Sequence, residues 1–214
     1  MPTVVRGLIF DMDLTLYRHE QYYASQIRNQ VVLLAADMGL TVDQLDTRLA
    51  TWEADYRHRN ADRRPSFGNT LLGCLGYPIE KSVELRRRAI RPEDYLSDDP
   101  RLRATLSELS RSCRLILVTN NTKDIAERTL AVLGVEAFFP RIVGLDEAGH
   151  SKPHPAAFDL AYHDLALEPS SVVAVGDRFP IDLEVPLARG SGGVLVESMD
   201  DVYALPAVLG LAKS

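Results

Sequence analysis

The chain has 214 residues, of which 46% are hydrophobic and 25% charged, with a formal net charge of −6 and a pI near 5.4. That composition supports a sizeable core in one large domain, or one domain with an insert, and excludes a disordered chain. The acidic balance argues against nucleic acid or an anionic membrane as the main partner, and no apolar run approaches the roughly 18 residues of a membrane span.

The first element is an apolar run through Val4, Val5, Leu8, Ile9 and Phe10. It predicts a buried strand of a parallel sheet. Arg6 inside the run and Asp11 directly after it are unlike a signal peptide. Cys74 and Cys113 lie far apart in apolar surroundings, so both are expected to be reduced, in a cytoplasmic protein. The strand runs out into Asp11-Met12-Asp13-Leu14-Thr15. Parallel sheets place their chemistry beyond the carboxyl ends of strands. Strand alternation sends Asp11 and Asp13 the same way, and two carboxylates that close need a metal, a cation or a proton between them. Taken alone, the pair is equally an exposed acidic turn.

Residues 16–96 carry only helical periodicity. One helix runs through Ile27, Val31, Leu34 and Ala35 and stops at Gly39. Thr41 and Gln44 have capping-box spacing and open a second, with Leu45, Leu49 and Trp52 on one face. A basic stretch from Tyr56 to Arg64 follows, then helices through Leu71, Leu72 and Leu75 and from about Glu80 to Ile90. This all-helical unit is too small to be comfortable without a neighbour.

From residue 97 strands and helices alternate. Strands are expected at Leu115–Val118, Arg141–Val143, Val172–Val175 and Val194–Val196. Helices are expected at 102–109, 124–133, 155–165, 182–189 and 202–209, and Gly190-Ser191-Gly192-Gly193 is expected to be a turn. Such alternation predicts an α/β fold: a Rossmann-like, three-layer parallel sheet core formed by 1–15 and 97–214, with 16–96 inserted after the first strand as a helical cap.

Other strand ends carry polar groups as well. Val118 leads into Thr119-Asn120-Asn121, and Val175 into Gly176-Asp177-Arg178 and on to Asp182. Lys152-Pro153 stands just before a helix amino terminus, where the helix dipole disfavours a cation and an anionic ligand would explain it. Singly, these are a helix cap, a solvated loop and a surface lysine; four such clusters at compatible strand ends are hard to credit to accident. Carboxylates without His or Cys suit a hard cation such as Mg²⁺, which commonly arrives with phosphate. Lys152 and the Thr119 hydroxyl suit phosphate oxygens, and Asp11, ionised at neutral pH, is a natural nucleophile.

Asp11-Met12-Asp13-Leu14-Thr15, Thr119-Asn120, Lys152-Pro153 and Gly176-Asp177 through Asp182 together resemble the four motifs of the haloacid dehalogenase-like superfamily, in the family's order and across essentially the whole chain. The resemblance implies roles. Asp11 is the nucleophile. Asp13 protonates the leaving group and then activates water. Thr119, Asn120 and Lys152 hold the phosphoryl group. Asp11, the Asp13 backbone carbonyl and Asp177 bind Mg²⁺, with Asp182 joined through water or to Lys152. The dehalogenase branch lacks the second Asp, so Asp13 resembles the phosphatases and phosphomutases. Leu14 stands where Gly, Asn or Asp is often found, and is expected to matter little because its side chain faces away.

The activity implied is hydrolysis of a small phosphorylated metabolite, with a phosphomutase or a non-catalytic binding protein on the same fold as alternatives. Substrate contacts are expected from Tyr17 and Arg18, with His19, Tyr22, Arg57, Arg63 and Arg64 as further candidates. Leu16-Tyr17-Arg18 and Ser66 to Leu71 resemble pyrimidine nucleotidase-like members, whereas Gly176-Asp177-Arg178 is closer to general phosphatases. Substrate identity and oligomeric state are not legible.

Overall fold

The structure, a computed structural model, describes residue 2 and residues 4–211. Strand β1 (Gly7–Phe10) occupies the middle of a five-stranded, all-parallel sheet of order β3-β2-β1-β4-β5, with β2 at Arg114–Val118, β3 at Ile142–Val143, β4 at Val172–Gly176 and β5 at Gly192–Leu195. The period of two in these strands sorts their side chains into two layers. Leu8, Phe10, Leu115, Leu117, Val173 and Val175 pack on one face against Leu102, Leu106, Ile125, Leu130, Val202 and Leu205. Ile9, Ile116, Val118 and Val143 face the other way, onto Phe158, Ala161 and Leu165. Both faces are covered by helices, which explains why the strands read as continuous apolar runs.

The helices between β1 and β2 are α1 (Glu20–Met38), α2 (Val42–Arg59), α3 (Phe67–Leu75), α4 (Ile79–Ala89) and, leading back to the sheet, α5 (Pro100–Leu109). Helix α1 stops at Gly39, in the left-handed conformation at φ 66°, and α2 begins with the Thr41–Gln44 capping box. Helices α1 to α4 bury a small core of their own around Val31, Leu34, Leu45, Leu49, Leu71 and Leu85. Trp52 lies over Gly73, where a Cβ would stand 2.1 Å from its ring, so the indole packs within the helical unit. That unit is clasped to the sheet by Arg63 on Glu184 (2.8 and 3.0 Å), by Arg87 on Asp124 and Asp146, and by Gly68 seated against Ser151.

The remaining helices are α6 (Lys123–Leu133), α7 (Leu145–Ala148), α8 (Ala156–Leu165), α9 (Glu184–Ala188), α10 (Met199–Tyr203) and α11 (Leu205–Val208). Three expectations need correction. The last strand starts at Gly192, because Gly192 and Gly193 pair with Val173 and Ala174; the turn is confined to Gly190, at φ 88°, and Ser191. The expected helix 202–209 is two short helices: Pro206 has no N–H to give and disfavours helical geometry in the residue before it. The expected helix 182–189 is entered through a π-type turn, Phe179–Leu183, which sets the position of Asp182. Among the described residues no helix is long and apolar enough to cross a membrane.

Candidate active site

The parallel arrangement decides where the chemistry gathers. β1, β2 and β4 are neighbours, and their carboxyl ends deliver Asp11, Thr119 and Asp177 to one edge of the sheet. The chain runs outward from β1 through β2 to β3 and then crosses back to β4, so this edge is also the point where the strand order reverses. The segment between α7 and α8 brings Lys152, whose peptide bond to Pro153 is cis.

The side chains of Asp11, Lys152 and Asp182 form one buried unit. Lys152 Nζ donates to Asp11 Oδ1 at 2.6 Å, to Asp182 Oδ1 at 2.7 Å and to the Val118 carbonyl at 2.9 Å, so all three of its protons are used. Burial alone would depress the Lys152 ammonium, but the two carboxylates outweigh it and hold it above the usual lysine range. Lys152 does stand just before a helix amino terminus, that of α8 at Ala156, but the anionic partner expected of a ligand is supplied by two distant aspartates, one of them the Asp182 that the resemblance joins to Lys152. Asp182 also accepts from the Arg178 backbone N–H at 3.0 Å. It lies so close over β4 that a Cβ on Gly176 would sit 2.4 Å from the Asp182 Cβ, so only glycine fits there. Thr15 Oγ1 donates to Asp11 Oδ2 at 3.1 Å and closes the other side of that carboxylate.

Asp11, Asp177 and Asp182 each offer a carboxylate oxygen within 4.8 Å of the others. Asp177 Oδ1 is buried and accepts no hydrogen bond; Arg178 Nε is 3.6 Å away. Burial and the charge of Asp11 push the Asp177 carboxyl up to about 7. An orphaned buried carboxylate oxygen beside two further carboxylates, in a donor set of oxygens only, is what a hard divalent cation would satisfy.

The expectation that strand alternation turns Asp13 toward Asp11's partners is corrected: β1 ends at Phe10, and Asp13 belongs to a second network. Its Oδ1 accepts from the Tyr17 hydroxyl and from Gln26 Nε2 (2.8 Å), and its Oδ2 from Asn121 Nδ2 (2.9 Å). Gln26 Nε2 also reaches Tyr17 Oη at 3.0 Å, and Gln26 Oε1 accepts from Asn121 at 3.1 Å. Burial, then the nearby charge of Asp11, raise the Asp13 carboxyl above its ordinary value, against the lowering effect of these hydrogen bonds. A carboxyl whose proton affinity is raised, beside a carboxylate that is salt-bridged, is a pair suited to separate acid and nucleophile roles. Thr119 Oγ1 accepts from the Asn121 N–H at 3.0 Å, which leaves its proton to be donated. Asn120 Oδ1 accepts from the Lys152 N–H at 2.7 Å, so its amide braces the lysine segment.

Above Asp13, between the helical unit and the sheet, lies a cavity of about 280 Å³ whose walls include Gln26, Glu53, Arg64, Arg86, Asn120 and Arg178. The expected substrate contacts are redistributed around it. Arg64 lines the cavity, Arg63 is committed to Glu184, and Arg57 pairs with Asp62. Tyr17 bonds Asp13 from below, while Arg18 and His19 line a separate groove with Tyr95, Asp98 and Met199, on the joint between the two units. Tyr22 is fully buried between Tyr17 and Tyr95. Leu14 does not face away: it lines a groove with Tyr23, Arg63 and Asp177, and its φ of 60° is left-handed, a conformation natural to Gly and Asn. Sequence reading missed Gln26 and Arg86. The available signal was Gln26 with Gln30 at i,i+4 on the otherwise apolar face of α1, and Ser82 with Arg86 at the same spacing on α4.

A family model for haloacid dehalogenase-like hydrolases matches residues 5–186. Among curated proteins, the glyceraldehyde 3-phosphate phosphatase of Methanothermobacter thermautotrophicus is 28% identical over 205 residues, covering 91% of this chain and 87% of the relative. The rat (Rattus norvegicus) N-acylneuraminate-9-phosphatase is 26% identical over 180 residues, covering 77% and 68%. Among solved structures, a phosphatase of the same superfamily from Thermococcus onnurineus superimposes with a TM-score of 0.67 at 22% identity, covering 96% of this chain and 98% of that one.

Proposed function

Because the chain belongs to the haloacid dehalogenase-like hydrolases, we propose that it is a Mg²⁺-dependent phosphatase that hydrolyses a small phosphate monoester through an aspartyl-phosphate. Residues 1–15 and 97–214 serve as the catalytic core and 16–96 as the cap. The observation that carries the reading is the buried carboxylate cluster of Asp11, Asp177 and Asp182, with Lys152 tied to two of its members. Curated relatives named as phosphatases support hydrolysis over phosphoryl transfer to a second hydroxyl. The free thiols of Cys74 and Cys113 suit a cytoplasmic protein.

In this reading Asp11 attacks phosphorus with one carboxylate oxygen. An O–P bond forms as the bond from phosphorus to the leaving oxygen breaks. Asp13 delivers its proton to that oxygen, and the alcohol departs. A water then attacks the mixed anhydride while Asp13 takes its proton, which releases phosphate and restores both carboxyl groups. Thr119 donates its hydroxyl proton to the phosphoryl oxygens, and Lys152 holds the Asp11 carboxylate in place through their 2.6 Å contact. Asp11, Asp177 and the Asp13 backbone carbonyl would hold Mg²⁺, which supplies charge neutralisation for the dianionic phosphoryl group. The cavity of about 280 Å³ suits a small leaving group. Phosphate release from p-nitrophenyl phosphate should require Mg²⁺, stop in chelator and drop to background in Asp11→Asn; undiminished release by that variant overturns the reading.

A further inference from the structure

Arg86 is the feature of the cavity that the proposed chemistry leaves unused. It sits on α4, is only 5% exposed, and lines the cavity above Asp13. Its Nη1 is engaged by Gln30 Oε1 at 3.2 Å and by the Ser82 hydroxyl, both neutral, while its Nε is buried with no acceptor. It makes no ion pair among the described residues. The other cavity-lining carboxylates are Asp13, which is already held by Tyr17, Gln26 and Asn121, and Glu53, which accepts from the Thr70 hydroxyl at 3.0 Å. Burial pulls the guanidinium down to about 10, which leaves it a cation at neutral pH.

A buried cation without a counter-ion is costly, and one unsatisfied donor adds to the cost. Folding gains nothing from it that a methionine would not supply. The guanidinium is fixed through Nη1 by Gln30 and Ser82, lines the cavity and has no counter-ion, so it is placed to give a charge-assisted hydrogen bond to a second oxyanion bound there. Three arginines, Arg64, Arg86 and Arg178, against two carboxylates also leave the cavity wall net positive.

From this geometry we infer that Arg86 is a specificity residue: the substrate is a small phosphate monoester bearing a second oxyanion, a carboxylate or another phosphate, at the end remote from the scissile bond, and that group docks on the Arg86 guanidinium. The inference rests on the phosphatase reading and narrows its substrate class. It also separates this chain from the relative named for glyceraldehyde 3-phosphate, whose remote end is uncharged.

The test compares two esters that differ only there, 3-phosphoglycerate and glyceraldehyde 3-phosphate, with 1,3-propanediol bisphosphate as the phosphate-bearing arm. The wild-type protein with Mg²⁺ should favour an oxyanion-bearing ester in kcat/KM by about tenfold or more, the size of a charge-assisted contact. In Arg86→Gln that ratio should collapse toward one, with Arg86→Lys in between. The better of the two oxyanion-bearing esters identifies the group. A wild-type preference for glyceraldehyde 3-phosphate overturns the inference, and needs no variant to fold. If none of these esters is hydrolysed, p-nitrophenyl phosphate release decides the phosphatase reading separately, and the anion site is judged by melting temperature. Stabilisation by 3-phosphoglycerate that is lost in Arg86→Gln keeps the site; equal stabilisation of both proteins removes it.

Discussion

Replacing Lys152 by methionine keeps the volume of the side chain and removes only its charge and donors. In the native protein the ammonium holds Asp11 Oδ1 and Asp182 Oδ1 at 2.6 and 2.7 Å, and all three side chains are at most 3% exposed. Without it two buried carboxylates face each other, and the Val118 carbonyl loses its donor. Breaking a buried pair by removing one partner costs about 3–5 kcal/mol, and the triad places Lys152→Met at the upper end. The sign of the pH dependence follows from Asp182, whose carboxyl is already raised by burial and by Asp11, and which Lys152 now lowers. In the variant its folded value rises further above the unfolded one, so the folded state binds the extra proton and regains stability as pH falls. Urea unfolding in chelator at about pH 8 and about pH 5 should therefore show a large loss that shrinks at the lower pH. Adding Asp182→Asn to Lys152→Met should recover part of it. A loss below about 1 kcal/mol at both pH values would refute the view that the three groups act as one electrostatic unit.

Leu14→Gly should stabilise the chain by about 1 kcal/mol, read as a higher melting temperature, because Leu14 holds a left-handed φ of 60° that glycine adopts freely. For Asp177, pushed up to about 7, the folded metal-free protein binds a proton more tightly than the unfolded chain. Its contribution to stability should thus be present at low pH and be lost as pH rises from about 4 to 7, so the melting temperature of wild type minus that of Asp177→Asn should fall across that window in chelator and recover with Mg²⁺.

What could be read from the sequence was what obeys local rules. Asp11, Thr119 and Asp177 are legible because a parallel sheet makes apolar runs with polar ends, and β1, β2 and β4 are such runs. The cap boundaries near Gly39 and Thr41 follow from capping chemistry carried by the residues themselves. The Lys152–Asp182 bond was expected only through the resemblance, and the Lys152–Asp11 bond not at all: Asp11 lies 141 positions away, and no local pattern reports that. The Leu14 backbone was hidden for a related reason, since leucine at φ 60° contradicts its own preference and is held there by the bonded turn Thr15 and Leu16 make back to Met12. Gln26 and Arg86 sit within regular helices, where a polar residue reads as solvent-facing until the partner surface is known.

Asp11 and Asp13, the proposed nucleophile and acid, are held in different ways. Asp11 is fixed from within the sheet unit, by Thr15 four residues on and by Lys152, so its geometry does not depend on the helices of the cap. Asp13 is held across the boundary: Gln26 comes from α1 in the helical unit, Asn121 from the loop after β2, and Gln26 binds Asn121 as well as Asp13. One amide therefore ties Asp13, the proposed general acid, to the seating of the helical unit. In the proposed mechanism, a substrate that displaced α1 from Asn121 would disturb the hydrogen bonds that hold Asp13, so the fit of the substrate and the positioning of the proposed acid would be coupled. That coupling is absent from Asp11, which Thr15 and Lys152 hold without a hydrogen bond from the helical unit.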